Sequence, residues 1–438
     1  MSGLVAAGAD SADGLDINHG GAIAVDTEQL RDVGARMRAV AAQYEEAHDS
    51  VRRAQALISV DPSAAPQLDV GALRRNGERL GALHAELEDA CAGTLLMADA
   101  FEVVELRARA EALSRGDEAE AAVVRARLDQ LLAGDDRLRG MADQLEYTWM
   151  LRRFQGLGDQ YDAGGLLPPL FLTGAMVGVF SGRGKLRPGV PLEGRADPVT
   201  VTRVKASTPK GAPKGLAPVL GRLPVGSAQV AVEKYTMPGG ATRYLAYVGG
   251  TRDGMPGRTG SSEPWDMKSN LELYGGQRSA SYQATLDALS AAGAKPGERV
   301  DVVGYSQGGM IASHLAMESP FDVATTITVG SPTEPTLRDD QTLIELWHTD
   351  DVVSSLAAGG SPEGTGSADS FAATREGDPD DGPQDLVVKA HNLEVYTETA
   401  KMIDGSHDPR AEALRAYWGE LGDAVAVERT EYRAERTP

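Results

Sequence analysis

Residues 300–316, VDVVGYSQGGMIASHLA, hold the side chains whose spacing most directly implies chemistry. Gly304-Tyr305-Ser306-Gln307-Gly308 fits G-x-S-x-G. An apolar β run precedes the pentapeptide and an Ala-rich helical run follows it. Ser306 is therefore expected on a sharp strand-to-helix turn, the setting of a nucleophile elbow. Gly304 and Gly308 remove side chains that would clash across that turn, and Gly309 lets the helix approach the sheet. The helix N-terminus points its partial positive charge at the same place. A hydroxyl held there attacks a carbonyl, provided that a base takes its proton and an acid orients the base.

In this arrangement the acid and the base follow the serine in that order. The β run LIELWH (343–348) ends in Thr349-Asp350-Asp351-Val352-Val353, so Asp350 and Asp351 are both candidates for the acid. One is expected to face the site and the other solvent. The histidines after Ser306 are His314, His348, His391 and His407. His314 falls about two turns into the helix after the elbow and should point away. His348 lies in the strand before the acid and reads as structural. His407, in GSHDPR, reads as a turn or cap. His391 follows the β-like run DLVVKA and opens NLEVYTETAKMI, which makes it the candidate base. An oxyanion needs two donors. The N–H of Gln307 is one; the turn after YLAYV, with Gly249, Gly250 and Thr251, offers the other. The Thr251 N–H is favoured, with its hydroxyl as a helper.

The surrounding pattern supplies elements to hold these groups. QVAVEKY and TRYLAYVGG are β-rich runs joined by MPGG, a hairpin signal. A helix over 282–292, the strand ERVDVVGY, a helix over 307–317 and the strands TTITVG and LIELWH follow. Strands alternating with helices predict a doubly wound, mostly parallel sheet covered on both sides. Upstream, Asp26 and Gln29 read as a capping box, and Leu30, Val33, Met37, Val40, Tyr44, Ala47, Val51, Ala54 and Ile58 form one helical stripe. DPSAAP at 61–66 breaks it. Three further helical patterns run to Trp149, which predicts an all-α elongated hairpin or bundle. Cys91 lies on an apolar stripe and reads as a buried structural thiol. His48 and His84 have no partners at metal-ligand spacing.

The chain is thus expected to divide into a flexible leader (1–25), a helical module (26–160), an apolar segment with a basic Pro/Gly-rich connector (161–226), an α/β domain (227–425) and a tail (426–438). Residues 359–385, rich in Gly, Ser and Asp, read as a disordered insertion between acid and base, with a mobile flap as the functional alternative.

Composition removes other classes. The 438 residues carry 43 Lys and Arg against 64 Asp and Glu, a net charge of −21. That balance argues against nucleic acid as a partner. A single cysteine excludes an internal disulfide and a Cys-based metal site. It also leaves Ser306 as the nucleophile of the α/β domain, with no metal and no cofactor required. The opening MSGLVAAGADSADGLD has no basic n-region, so no ordinary Sec signal is expected, and the chain is read as cytoplasmic or exported by another route. Gly164–Phe180 is apolar but short for a span and contains Pro168 and Pro169, so a buried segment is favoured over membrane insertion; peripheral membrane contact stays open.

The blocks YVGGT, GYSQGG, TVGSP, TDDVVSSL and AHNLEVY together resemble the serine esterase and lipase branch of the α/β-hydrolase superfamily. GYSQG is similar to the cutinase-like enzymes, and the order of the other blocks to class 3 lipases. The resemblance covers about residues 228–404. It implies a strand ending at Gly250-Thr251 that supplies an oxyanion donor. It also implies that the acid opens D-x-V-P-x-L, which selects Asp351 over Asp350, with Ser354 in place of the usual Pro. Cleavage of carboxylic esters, of lipids or other acyl compounds, through an acyl-enzyme is what this resemblance implies. A thioesterase, phospholipase or amidase of the same fold is the enzymatic alternative. The helical module loosely resembles helical-hairpin substrates of actinobacterial type VII secretion, without a Trp-x-Gly turn. That likeness implies a type VII-like export route. It also implies the rival reading, a secretion-system or envelope interaction protein whose working part is a helical partner surface.

Overall fold

The computed structural model describes residues 14–18, 27–60, 69–113, 118–153, 184–188, 190–253, 260–357, 365–380 and 388–437. They group into two compact units. One comprises Val25–Arg107 and Ala122–Leu145, and the other Met1–Ala24, Ala108–Ala121 and Glu146–Pro438. The division cuts the helices Val70–Leu113, Glu118–Gly134 and Arg137–Arg153. The apolar segment Gly164–Phe180, the DPSAAP break and the Asp26–Gln29 capping box lie outside the described residues or side chains. Among the described residues, no helix is long and apolar enough to cross a membrane.

In the first unit, α1 (Thr27–Val60) and α2 (Val70–Leu113) run antiparallel, followed by α3 (Glu118–Gly134) and α4 (Arg137–Arg153). The seam is built on small residues. His84 Nδ1 donates to Ala41 O (3.0 Å) and Cys91 Sγ to Gly34 O (3.2 Å). Gly34, Ala41, His48 and Gln55 recur every seven residues and meet Leu95, His84, Gly81 and Gly77. The expected stripe is thus turned. Met37, Tyr44, Val51 and Ile58 stay partly buried, whereas Val33 and Val40 are exposed. Glycine and alanine let the backbones approach, so the contact line moves onto them.

Among the described residues, the second unit is built on a nine-stranded sheet. Its strands are β1 (Asp16–Asn18), β3 (Val199–Ser207), β4 (Val230–Thr236), β5 (Thr242–Val248), β6 (Arg299–Tyr305), β7 (Asp322–Val329), β9 (Thr342–His348), β10 (Phe371–Arg375) and β11 (Ala426–Arg436); β2 (Lys185–Leu186) and β8 (Glu334–Pro335) form a separate pair. The order is β1-β10-β9-β7-β6-β5-β4-β11-β3. β10, β9, β7, β6 and β5 run parallel, and the strands outside them are antiparallel. The fold is mixed α/β, as expected, with a parallel centre and antiparallel margins.

Period-two alternation sends each strand's side chains to opposite faces. Tyr244, Ala246 and Val248 of β5 join Val300 and Val302 of β6 under helices α6 (Met267–Tyr274), α7 (Ala280–Ala291) and α8 (Gln307–Glu318). Leu245, Tyr247, Val303, Ile327 and Ile344 face α9 (Leu393–Gly405) and α10 (Pro409–Gly422) on the other side. α5 (Leu216–Leu220) also packs there.

Four segments read from sequence as leader, connector, insertion or tail are sheet. Asp16–Asn18 pairs with β10, and Phe371–Arg375 lies parallel to β9 inside the presumed insertion. Val199–Ser207 of the connector is the edge strand, and Ala426–Arg436 is an interior strand between β4 and β3. The charge of β11 disguised it, yet two of its arginines, Arg429 and Arg436, serve the interior. Arg429 pairs with the fully buried Glu233 (3.2 Å), which Arg222 also reaches (2.8 Å). Arg436 pairs with the buried Asp266 (2.8 Å). Removing one partner of such a pair leaves an uncompensated buried charge. Arg429→Met is therefore expected to lower stability by about 2–3 kcal/mol in a denaturant titration. Truncation after residue 425 should abolish the cooperative thermal transition; a truncated chain that melts like the full one would show β11 to be dispensable.

Candidate active site

Ser306 joins β6 to α8 with φ 56° and ψ −118°. This is a sparsely allowed region for a residue with a side chain, and the neighbours must hold it there. They do so by close contact. A Cβ on Gly304 would lie 2.0 Å from Gly308 O, and one on Gly308 2.2 Å from Val248 O. Ser306 N–H donates to Val329 O (2.8 Å), which ties the turn to β7. The expected elbow is present, and its glycines are required by sterics.

Three groups separated along the chain converge on this turn. His391 Nε2 lies 2.9 Å from Ser306 Oγ, and its Nδ1 lies 2.7 Å from Asp351 Oδ2. Asp351 is an acceptor, so Nδ1 carries the proton and Nε2 accepts from the serine hydroxyl. The Asp351 side chain is 0 % exposed and that of His391 15 %. Asp351 receives two more bonds, from Tyr396 OH to Oδ2 (2.7 Å) and from Val353 N–H to Oδ1 (2.8 Å). Burial pushes its carboxyl up, but the charge and hydrogen bond of His391, with the bonds of Tyr396 and Val353, bring it below the ordinary carboxylate value.

Asp350 is also buried rather than turned to solvent, which corrects the expectation for the second carboxylate. Its oxygens accept from Gly377 N–H and Asp378 N–H, both at 2.7 Å. Burial raises its carboxyl above the ordinary value against those two bonds. Hydrogen bonding sends the two neighbours to different tasks: Asp351 to His391, Asp350 to the backbone after β10.

His391 sits in a short 3-10 turn, Lys389–His391, that follows Val388 at φ 54°. Ser306 and Val388 are the two positive-φ residues other than glycine among the described residues. They mark the turns that carry the serine and the histidine. Tyr305 stacks on His391 with ring centroids 5.3 Å apart and donates from its OH to His391 O (2.7 Å). Ser354 opens the turn after the acid, where its Oγ reaches Asp351 O (3.1 Å).

On the other side of Ser306, a Cβ on Gly250 would lie 3.1 Å from Ser306 Cβ, so the turn after β5 abuts the elbow. Thr251 follows, and Asn270 Nδ2 donates to its Oγ1 (2.9 Å). Trp265 Nε1–H donates to Gly249 O (3.0 Å). Gln307 is the first residue of α8, where a backbone N–H has no acceptor inside the helix. Its side chain points away, with Nε2 donating to Ser281 Oγ (3.2 Å).

The remaining histidines stand apart from the serine, as expected. His314 is buried edge-on to Tyr282. His348 bonds Ala390 O (2.7 Å) and Thr399 Oγ1 (2.8 Å). His407 is exposed ahead of Asp408, which caps α10. Sequence reasoning missed Tyr396, Asn270 and the bond from Tyr305. Tyr396 stands in the quoted block AHNLEVY but carries no motif of its own. Among the described residues, no group of His, Cys, Asp and Glu is arranged to hold a metal ion. Comparison with family models, with curated proteins and with solved structures returns no match.

Burial brings the imidazole of His314 down to about 4, and that of His348 likewise to about 4. Between pH 6.5 and 4 the unfolded chain binds protons that these folded sites refuse, so stability falls as pH drops through that window. Each site should cost about 2 kcal/mol at pH 5 relative to neutral pH. Melting curves should show a His314→Leu variant losing less stability than the parent between pH 7 and 5; parallel losses would contradict the assignment.

Proposed function

We propose that this chain is a serine hydrolase of the α/β-hydrolase type, which cleaves carboxylic esters through an acyl-enzyme. The observation that carries the reading is the unbroken chain Ser306 Oγ, His391, Asp351, with links of 2.9 Å and 2.7 Å, starting from a strained elbow.

The geometry supports each step. Ser306 Oγ attacks the ester carbonyl carbon as its proton passes to His391 Nε2. Asp351 holds the imidazole in the tautomer that accepts this proton and stabilises the imidazolium that forms. The carbonyl oxygen becomes an oxyanion beside the N-terminus of α8, within reach of the Gln307 N–H, and the Thr251 N–H is the second donor. Because Thr251 Oγ1 accepts from Asn270, its own hydroxyl hydrogen is free to add a third. His391 then protonates the leaving alcohol, and water attacks the acyl-serine by the same route in reverse. This machinery fixes acyl transfer to water and leaves the acyl group open. An ester of a lipid or another acyl compound is the proposed substrate class.

Ser306→Ala is expected to abolish hydrolysis of p-nitrophenyl acetate and labelling by a fluorophosphonate probe while the melting temperature holds. Retained turnover in that variant would remove the assignment. Asp351→Asn should lower kcat about 10³-fold or more, because the imidazole loses its tautomeric anchor. Asp350→Asn should lower it less than about tenfold, since its bonds go to the backbone of 377 and 378. The reverse ranking would reassign the acid.

A further inference from the structure

Behind the site lies a second histidine that touches every support of the first. His348 ends β9, three residues before Asp351. His348 Nε2 lies 2.8 Å from Thr399 Oγ1, which also accepts from Arg375 Nε (2.8 Å) and lies 3.3 Å from Val395 O. Ala390 O can only accept, so His348 Nδ1 carries a proton and donates it there (2.7 Å), and in the neutral ring Nε2 accepts from the Thr399 hydroxyl. Ala390 immediately precedes His391. The same imidazole lies flat on Tyr396, with centroids 3.9 Å apart and planes 10° apart. Tyr396 OH donates to Asp351 Oδ2 (2.7 Å) and accepts from His348 N–H (3.3 Å). One ring thus contacts the strand leading to the acid, the turn carrying the base and the helix whose phenol holds the acid.

We propose that His348 and Tyr396 act as one positioning unit that sets the separation of Asp351 and His391. The inference rests on the hydrolase reading above. Neither residue bonds Ser306, so both act through others. Both are buried, Tyr396 at 0 % and His348 at 1 % exposure, and water does not compete for their bonds. In the neutral imidazole Nδ1 donates to Ala390 O and Nε2 accepts from Thr399. Burial supplies that neutrality, and the charge of Arg375 adds to it against the opposing pull of Asp351. A pair that served only as packing would affect stability and leave the Asp351–His391 bond unchanged.

The full-length chain provides the test, in the variants Tyr396→Phe, His348→Asn, His348→Ala and the double variant Tyr396→Phe with His348→Ala. The readouts are kcat and KM for p-nitrophenyl acetate, the melting curve and the low-field proton resonance of His391 Nδ1–H. Tyr396→Phe removes one oxygen. It should lower kcat about tenfold at unchanged KM. It should also move the resonance downfield, because Asp351 Oδ2 loses a competing donor. His348→Ala should lower kcat about a hundredfold. His348→Asn, whose amide can still donate to Ala390 O, should recover about tenfold of that loss. The double variant should be no slower than His348→Ala, since members of one unit are not additive. Folded Tyr396→Phe and His348→Ala variants with parental kcat and resonance would overturn the proposal. If His348→Ala does not fold, Tyr396→Phe decides alone. The resonance reports on the Asp351–His391 pair without turnover, so failure of the positioning unit is distinguishable from retained activity in Ser306→Ala, which would instead remove the hydrolase reading.

Discussion

A fully buried carboxylate governs the arrangement around Asp351. Withdrawing such a charge from water costs several kcal/mol unless close, well-directed donors replace the lost hydration. Here the donors come from three places: His391, Tyr396 on α9 and the N–H of Val353 in the next turn. The Val353 bond is local, but those of His391 and Tyr396 bring the end of β9 together with the 3-10 turn before α9 and with α9 itself. The acid is therefore a junction in the fold as well as a group in the site. Its neighbour Asp350 repeats the constraint with different donors and ties the backbone after β10 to the end of β9.

The Ser306 side meets a steric constraint instead. β6 lies between β5 and β7, so the turn at Ser306 is crowded by Val248 O on one side and bonded to Val329 O on the other. Only a tight, positive-φ turn fits, and glycine is the residue that leaves room at 304 and 308. Gly330 extends the same logic. It has φ 57°, and a Cβ there would lie 3.0 Å from His391 Cε1 and 2.9 Å from Tyr396 Cε2. The electrostatic constraint and the steric one meet at this glycine, which borders the histidine and the phenol at once.

What was legible in the sequence follows from how local each signal is. The elbow, the hairpin at MPGG and the β–α alternation are short-range patterns, and β4, β5, β6, β7 and β9 lie where those patterns put them. Of the histidines after Ser306, His391 is the one bonded to it, and its position relative to the strand ends was readable from the sequence. β1 is three residues long and β10 five, too short for alternation to stand out from Gly- and Asp-rich surroundings. β11 reads AVERTEYRAER, whose charges look solvated until Glu233 and Asp266 are seen across the sheet, roughly 200 and 170 residues away in sequence. Tyr396 and Asn270 escaped for the same reason: a single hydrogen bond to a distant residue leaves no periodicity to read. In the helical unit, the period of seven was visible but its phase was not. Hydrophobicity favoured Val33 and Val40, whereas close approach favoured Gly34 and Ala41.

The histidines show how one residue type acquires different chemistry from its bonds. His314 lies inside a helix face against Tyr282, and burial alone holds it neutral. His348 has both nitrogens committed, one donating to a carbonyl and one accepting from a hydroxyl. No lone pair is left over to take a proton from a third group. His391 also uses both nitrogens, but its Nε2 faces the hydroxyl of a strained serine rather than a threonine held by an arginine. Its partner's proton can be transferred, because the acid on the far side of the ring is ionised and gains from the positive charge that results. Under the proposed hydrolase reading, the difference between a structural and a reactive imidazole lies in what stands opposite each nitrogen. That is set by the ends of β9, β6 and α9, and by the 3-10 turn that carries His391.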